Sequence, residues 1–259
     1  NPYLWNQFPH VITMAITVGA FTIAGIDVRW YGILIGIAFL LAIYISYRRA
    51  PRFDIIQDDI LDLTIFLIPF SIIGARAYYV IFSYDNYRGD FIQMLNLRAG
   101  GLAIHGGIIA GVIVSYIVAR HKKIKFPKLA DLIMPQVALA QSIGRWGNFF
   151  NSEAHGGPTD LPWAITVYGE KVHPTFLYES IWCLLIFIFL VKISNKRKFD
   201  GQIALLYAML YSFERFWVEG LRTDSLMIGQ FRQAQVLSLV VFVIALATYI
   251  YQTRKYKKQ

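Results

Sequence analysis

Seven stretches of this chain are dominated by apolar residues over about 20 positions each, the length a helix needs to cross the hydrocarbon core of a bilayer. They are residues 28–47, 60–82, 101–119, 129–150, 176–193, 203–218 and 233–251. A bilayer core holds no water to satisfy backbone N–H and C=O groups, so segments of this kind fold as helices whose hydrogen bonds close within each segment. The expectation is an all-α integral membrane protein, a polytopic bundle of about seven transmembrane helices, forming a single domain over residues 1–259. Composition agrees: 56% of residues are hydrophobic and 16% aromatic, above the usual apolar share of a soluble domain. The first 27 residues are rich in Thr and Gly and broken by Pro9 and His10. They admit an eighth span, while residues 20–26 equally suit a short interfacial or extended segment. No basic region followed by a small-residue cleavage site is found there, so a signal peptide is not expected. The single cysteine, Cys183, excludes a disulfide framework, and its apolar surroundings in sequence make it a small buried hydrophobe.

Lys and Arg decide which side of the membrane each connection faces. They concentrate at 48–52, 120–128, 192–198 and 254–258, which are alternate connections plus the tail. All four therefore fall on one side, and the positive-inside rule makes that side cytoplasmic. Seven spans then place the N-terminus outside and the C-terminus in the cytoplasm. These loops also account for the net charge of +9, because an anionic cytoplasmic leaflet attracts them, and no nucleic-acid partner is expected. The other basic residues (Arg29, Arg76, Arg88, Arg98, Arg145, Lys171, Arg215, Arg222 and Arg232) lie in spans or on the opposite side. There they need local partners, and Glu153, Glu179, Glu214 and Glu219 are the candidate counter-charges. For Arg76, pairing and ligand binding both stand.

Residues 144–157 read GRWGNFFNSEAHGG at the end of the apolar stretch that starts at Leu129. Polar groups at that depth are expensive and mark function. On a helix, Arg145, Asn148 and Asn151 recur every three residues and share one face, a face suited to an anionic ligand. The bland alternative is that these groups only bond one another and their neighbours.

Three further constellations accompany it. Residues 98–107, RAGGLAIHGG, flank His105 with glycine pairs that permit close backbone approach and leave an imidazole at the outer end of a span. That side chain suits proton transfer near neutral pH, though a structural role is also open. Residues 173–179, HPTFLYE, open the fifth span: Pro174 fits a first helical turn, Tyr178 an interfacial belt, and Glu179 points into the bundle. In residues 211–222, YSFERFWVEGLR, Tyr211, Arg215 and Glu219 recur every four residues as one polar stripe. Either Arg215 and Glu219 form a simple salt bridge, or Arg215 is a second cation facing the same cavity as Arg145.

Taken together, these residues resemble the signature of the bacterial prolipoprotein diacylglyceryl transferase family, whose pattern Gly-Arg-x-x-Asn-Phe-x-Asn-x-Glu-x-x-Gly is met at 144–156. RWYG at 29–32, GARAYYV at 74–80, the HGG at 105–107, HPTFLYE and the Tyr211 stripe follow in the family's order, so the resemblance covers nearly the whole chain. Trp146 and Gly147 fill its variable positions, and Thr175 and Phe176 replace its usual Ser-Gln, which puts the polar contacts of that turn in question.

The resemblance implies a reaction in a bacterial plasma membrane. The diacylglyceryl group of phosphatidylglycerol passes to the lipobox cysteine thiol of a prolipoprotein signal peptide, as the first step of lipoprotein maturation, and glycerol phosphate leaves. Arg145, and after it Arg215, would hold the departing phosphate through forked donors. A thiol of pKa near 8.5 is only a few per cent ionised at pH 7, so a base would help, and His105 is the candidate. Tyr31, Asn148, Asn151 and Glu153 would orient the headgroup, with Gly156 and Arg76 among the substrate-contacting positions, and Glu219 and Arg222 would support Arg215. No cofactor or metal is implied. Paired-acid, zinc-binding His-Glu-x-x-His and nucleophile-elbow motifs are not found. The main alternative is a transporter or channel for an anionic solute, against which stands the lack of a two-fold repeat of spans.

Overall fold

The computed structural model of the protein describes residues 20–23, 26–97, 100–223 and 225–258. Apart from residues 28–29 and 101–103, all seven apolar stretches are helical within it: α1 Trp30–Arg49, α2 Gln57–Phe82, α4 Ile104–His121, α5 Phe126–Asn151, α6 Thr175–Ile193, α7 Gln202–Leu221 and α8 Gln233–Tyr256, with a short α3, Phe91–Leu95, between α2 and α4. Five helical segments are long and apolar enough to cross a membrane: Trp30–Phe53, Gln57–Phe82, Ile104–His121, Thr175–Lys196 and Gln233–Tyr256. The two remaining long helices are more polar: α5 carries Asp131, Gln136, Gln141 and Arg145, and α7 carries Glu214, Arg215 and Glu219. Outward faces elsewhere are apolar, with Leu40, Ile65 and Ile244 exposed, as a surface solvated by lipid tails requires. The protein is an all-α membrane protein.

The N-terminal reading divides. β1 Ala20–Ile23 pairs antiparallel with β2 Ile26–Arg29, so the extended alternative holds just before α1, while residues 1–19, and with them any eighth span, lie outside the described residues. Two more hairpins occur, β3 Ile165–Val167 with β4 Glu170–Val172, and β5 Met227–Ile228 with β6 Phe231–Arg232. Tyr168 and Gly169 both take positive φ between β3 and β4, the backbone that a two-residue hairpin turn demands. Ile165, Val167 and Val172 then pack with Phe149 of α5 and Phe176 of α6, which ties this hairpin to the helix ends that carry the polar motif.

The chain forms two compact units, Ser46–Leu129 and Asn1–Ile45 with Ala130–Gln259. In the first, α2 and α4 meet backbone to backbone. A Cβ on Gly74 would collide with Ala110 and the Gly106 carbonyl, and one on Gly106 with the Gly74 carbonyl and Tyr78. Small residues at a crossing are how membrane helices gain packing where water supplies no drive. The basic end of the pair is held by Lys122, which bonds Asp62 and sits 2.9 Å from Asp59. The Asp62 hydrogen bond, and then that of Asp59, raises the Lys122 ammonium above its ordinary value.

In the second unit, polar clasps set the helix registers. Ser142 of α5 and Ser180 of α6 each donate to the other's carbonyl at 2.8 Å. Tyr207 of α7 donates to Gln141 of α5 at 2.8 Å, and Trp182 of α6 to the Leu210 carbonyl of α7 at 3.1 Å. The start of α7 has no side-chain cap of its own, because Gly201 stands at that position with positive φ. Asp131, fully buried on α5, supplies it by accepting from the N–H groups of Gly201 at 2.7 Å and Ala204 at 2.9 Å, which pairs a carboxylate with the positive end of a helix dipole.

Candidate active site

Beside this clasp, Arg145, three residues after Ser142 on α5, and Glu179, the residue before Ser180 on α6, face each other. Glu179 is 1% exposed and forms an ion pair with Arg145 Nη2. The same carboxylate accepts from Arg215 Nη1 at 3.3 Å to each of its oxygens. Arg215 Nη2 in turn lies 2.7 Å from Glu219 Oε2, one turn along α7, and Arg145 Nη2 donates to the Tyr211 hydroxyl at 3.4 Å. Of the two readings of the α7 stripe, the Arg215–Glu219 bridge forms, and Arg215 also shares the Glu179 carboxylate with Arg145.

Two cations on one buried carboxylate make a strongly coupled group in which removal of any member leaves an unbalanced charge. The forked donors are only partly used. Arg145 Nε and Nη1 and Arg215 Nε have no partner among the described residues, so the pair can still accept an anion. Glu214, 6% exposed and within electrostatic reach of Glu179, Arg145 and Arg215, has neither carboxyl oxygen hydrogen-bonded among the described residues. Cys183, one turn after Glu179, is fully buried.

The remaining residues of the signature form a second network beside this one. Asn148 and Asn151 both donate to Glu153 Oε1, at 3.0 and 3.2 Å, so their amides converge on that carboxylate and make no side-chain bond to Arg145. Gly147, expected only to fill a variable position, lies under the Tyr31 ring, where any Cβ would overlap the ring carbons. This places Tyr31 of α1 against α5 two residues past Arg145. Gly156 bridges to Arg222 as an isolated antiparallel pair, and its N–H donates to the His173 carbonyl at 2.9 Å. A Cβ there would press on His173, the Leu221 carbonyl and Thr175. Gly156 is thus the point where the loop after α5, the start of α6 and the end of α7 meet.

At the opening of α6, Pro174 is the cap residue, one place before the first turn it was expected to occupy. The Thr175 hydroxyl donates to the Ala154 carbonyl, so the turn keeps a polar contact despite its departure from the family pattern. The Tyr178 hydroxyl accepts from Trp163 at 2.8 Å and lies 3.3 Å from His173 Nδ1. Glu179 points inward as read. Its sharing between two arginines was not foreseen, and the available sign was a lone carboxylate in the run TFLYESIWCLL.

His105 and Arg76 belong to the other unit. His105 is the second residue of α4, exposed, its ring 6.0 Å from that of Tyr78, and its imidazole has no hydrogen bond among the described residues. Arg76 is 5% exposed and fully engaged: Nε donates to Met94 O, Nη1 to Gly100 O and Gly101 O, and Nη2 to Gln93 O, at 2.6–3.0 Å. Tyr87 and Tyr79 flank its guanidinium. Its partners are backbone carbonyls and not the carboxylates named as candidate counter-charges. Arg98 lies outside the described residues.

The family profile described as prolipoprotein diacylglyceryl transferase matches residues 18–251. Proteins named phosphatidylglycerol–prolipoprotein diacylglyceryl transferase are similar along most of the chain. That of Finegoldia magna is 50% identical over 241 residues, covering 93% of this chain and 96% of its own length. That of Clostridioides difficile is 50% identical over 238 residues, covering 92% and 96%, and that of Clostridium novyi 46% identical over 248 residues, covering 92% and 96%.

Proposed function

The chain belongs to the prolipoprotein diacylglyceryl transferase family, and on that premise we propose how its residues carry the transfer. The activity is movement of a diacylglyceryl group from phosphatidylglycerol to a prolipoprotein. The acceptor atom in this reading is the thiol sulfur of a lipobox cysteine in the signal peptide. The S–C bond forms at the glyceryl carbon as that carbon's bond to the phosphate-ester oxygen breaks, glycerol phosphate departs with the bonding pair, and the thiol proton passes to a base.

The observation that carries the reading is the sharing of Glu179 between Arg145 and Arg215. The carboxylate holds two guanidinium groups side by side before substrate arrives, while Arg145 Nε and Nη1 stay available for phosphate oxygens. Charge that grows on the departing phosphate then meets donors already in position, which is where electrostatic catalysis gains most. Glu219 fixes Arg215 from its other side. The Asn148–Asn151–Glu153 network and Tyr31, seated on Gly147, orient the headgroup next to Arg145. His105, exposed at its helix end, takes the thiol proton. The scheme uses no metal or cofactor. It sets the protein in a bacterial plasma membrane, with the basic connections in the cytoplasm and the site open to substrates already translocated.

The test is reconstitution. Purified protein mixed with phosphatidylglycerol and a lipobox peptide is expected to give the thioether-linked diacylglyceryl peptide and glycerol phosphate in equal amounts. Flux of an anionic solute without any thioether product would contradict the reading and favour a transporter.

A further inference from the structure

At the end of α4 remote from His105, roughly 22 Å along the helix by its rise per residue, lies a cleft of about 580 Å³ lined by Tyr116, Arg120, Lys123, Lys125 and Phe126, among others. Its construction is two-layered. The Tyr116 and Phe126 rings meet edge to face at 5.7 Å and give it an apolar floor. Arg120 stands one helical turn after Tyr116 and so projects to the same side, and Lys123 follows in the connection with a left-handed backbone, φ 58°. The neighbouring Lys122 is committed to Asp59 and Asp62. Arg120 and Lys123, both exposed, form no ion pair or side-chain hydrogen bond among the described residues. Two uncompensated cations above an aromatic floor, at the end of an apolar helix of span length, complement one kind of molecule: an anion carrying an apolar body at the level of the bilayer surface. The volume exceeds what a bare phosphate fills and falls within the range of small-ligand sites.

We propose that this cleft binds the headgroup of an anionic phospholipid, with its phosphate between Arg120 and Lys123 and its glycerol and first acyl carbons against Tyr116 and Phe126. The lipid here is a bound ligand and takes no part in the transfer, since the cleft shares no residue with the arginine cluster. It would anchor the α4–α5 connection to the adjacent leaflet.

The test uses the full-length protein in detergent, with Arg145→Ala as a common background so that binding at the arginine cluster is reduced in every sample. Native mass spectrometry then measures retention of phosphatidylglycerol and phosphatidylcholine. Arg120→Gln with Lys123→Gln is expected to weaken phosphatidylglycerol binding roughly 30-fold, from about 1 kcal/mol for each cation near a membrane surface, and to leave phosphatidylcholine binding unchanged. The charge-preserving pair Arg120→Lys and Lys123→Arg is expected to retain the lipid, and inorganic phosphate in excess is expected not to displace it. Equal phosphatidylglycerol binding by the Gln pair and the background protein would overturn the proposal. So would loss in the charge-preserving pair, displacement by inorganic phosphate alone, or tighter binding of an acidic peptide than of the lipid.

Discussion

Gly147 carries no side chain because the Tyr31 ring occupies the space a Cβ would take. Gly147→Ala is therefore expected to lower transferase activity while the protein still inserts and folds, and a crystal structure or crosslink should show Tyr31 shifted away from α5. Unchanged activity with an unmoved ring would contradict the contact. The proposed base is tested at the same scale. His105→Gln keeps a hydrogen-bonding group but cannot accept a proton near neutral pH, so its rate should fall by roughly 10²- to 10⁴-fold. Raising the pH toward the thiol pKa near 8.5 should restore part of it by supplying thiolate from solution. A folded variant equally slow at pH 7 and pH 9 would make His105 a positioning residue. Arg145, Arg215 and Glu219 could be picked out from the chain alone because helical spacing is a local property. The partnership of Arg145 with Glu179 could not, because it depends on how α5 and α6 slide against each other, which Ser142 and Ser180 fix through mutual hydrogen bonds. Arg76 shows the same limit: its four carbonyl acceptors come from residues 17 to 25 positions away.

The helices were legible because about 20 apolar residues in a row leave the backbone little alternative in a bilayer. Their boundaries shifted by a few residues where polar residues extend a helix past its apolar part, as α8 runs on through Gln252 and Arg254 to Tyr256. The capping of α7 was not legible at all. Its own cap position is Gly201, and the carboxylate that does the work, Asp131, sits 70 residues earlier. Asp131→Ala removes a buried cap bonded to two N–H groups, and thermal unfolding in detergent should report a loss of about 1–2 kcal/mol. Asp131→Asn, which still accepts, should lose less. At the α2–α4 crossing, where Gly74 and Gly106 touch through their backbones, Gly106→Leu cannot be accommodated by side-chain movement alone. It is expected to destabilise the pair by roughly 1–3 kcal/mol, read as lowered thermal stability and faster proteolysis of the α2–α4 region.

For the whole molecule, the proposed orientation puts the loop between α5 and α6 outside and the basic loops in the cytoplasm. With single cysteines introduced into a Cys183→Ser background, a thiol reagent that cannot cross the membrane should label residues 152–173 from outside intact cells and leave position 196 unlabelled. The reverse pattern would invert the orientation and put the arginine cluster on the wrong side for translocated substrates. The central claim is that the two arginines bridged by Glu179 hold the phosphate that departs, and it is tested most directly by turnover in vesicles of phosphatidylglycerol with a lipobox peptide. Arg145→Lys keeps the charge but loses the fork, and should retain only a small fraction of the wild-type rate. Arg145→Ala, in protein shown to be inserted and folded, should give no detectable thioether product. Near-normal turnover by the alanine variant would contradict the account.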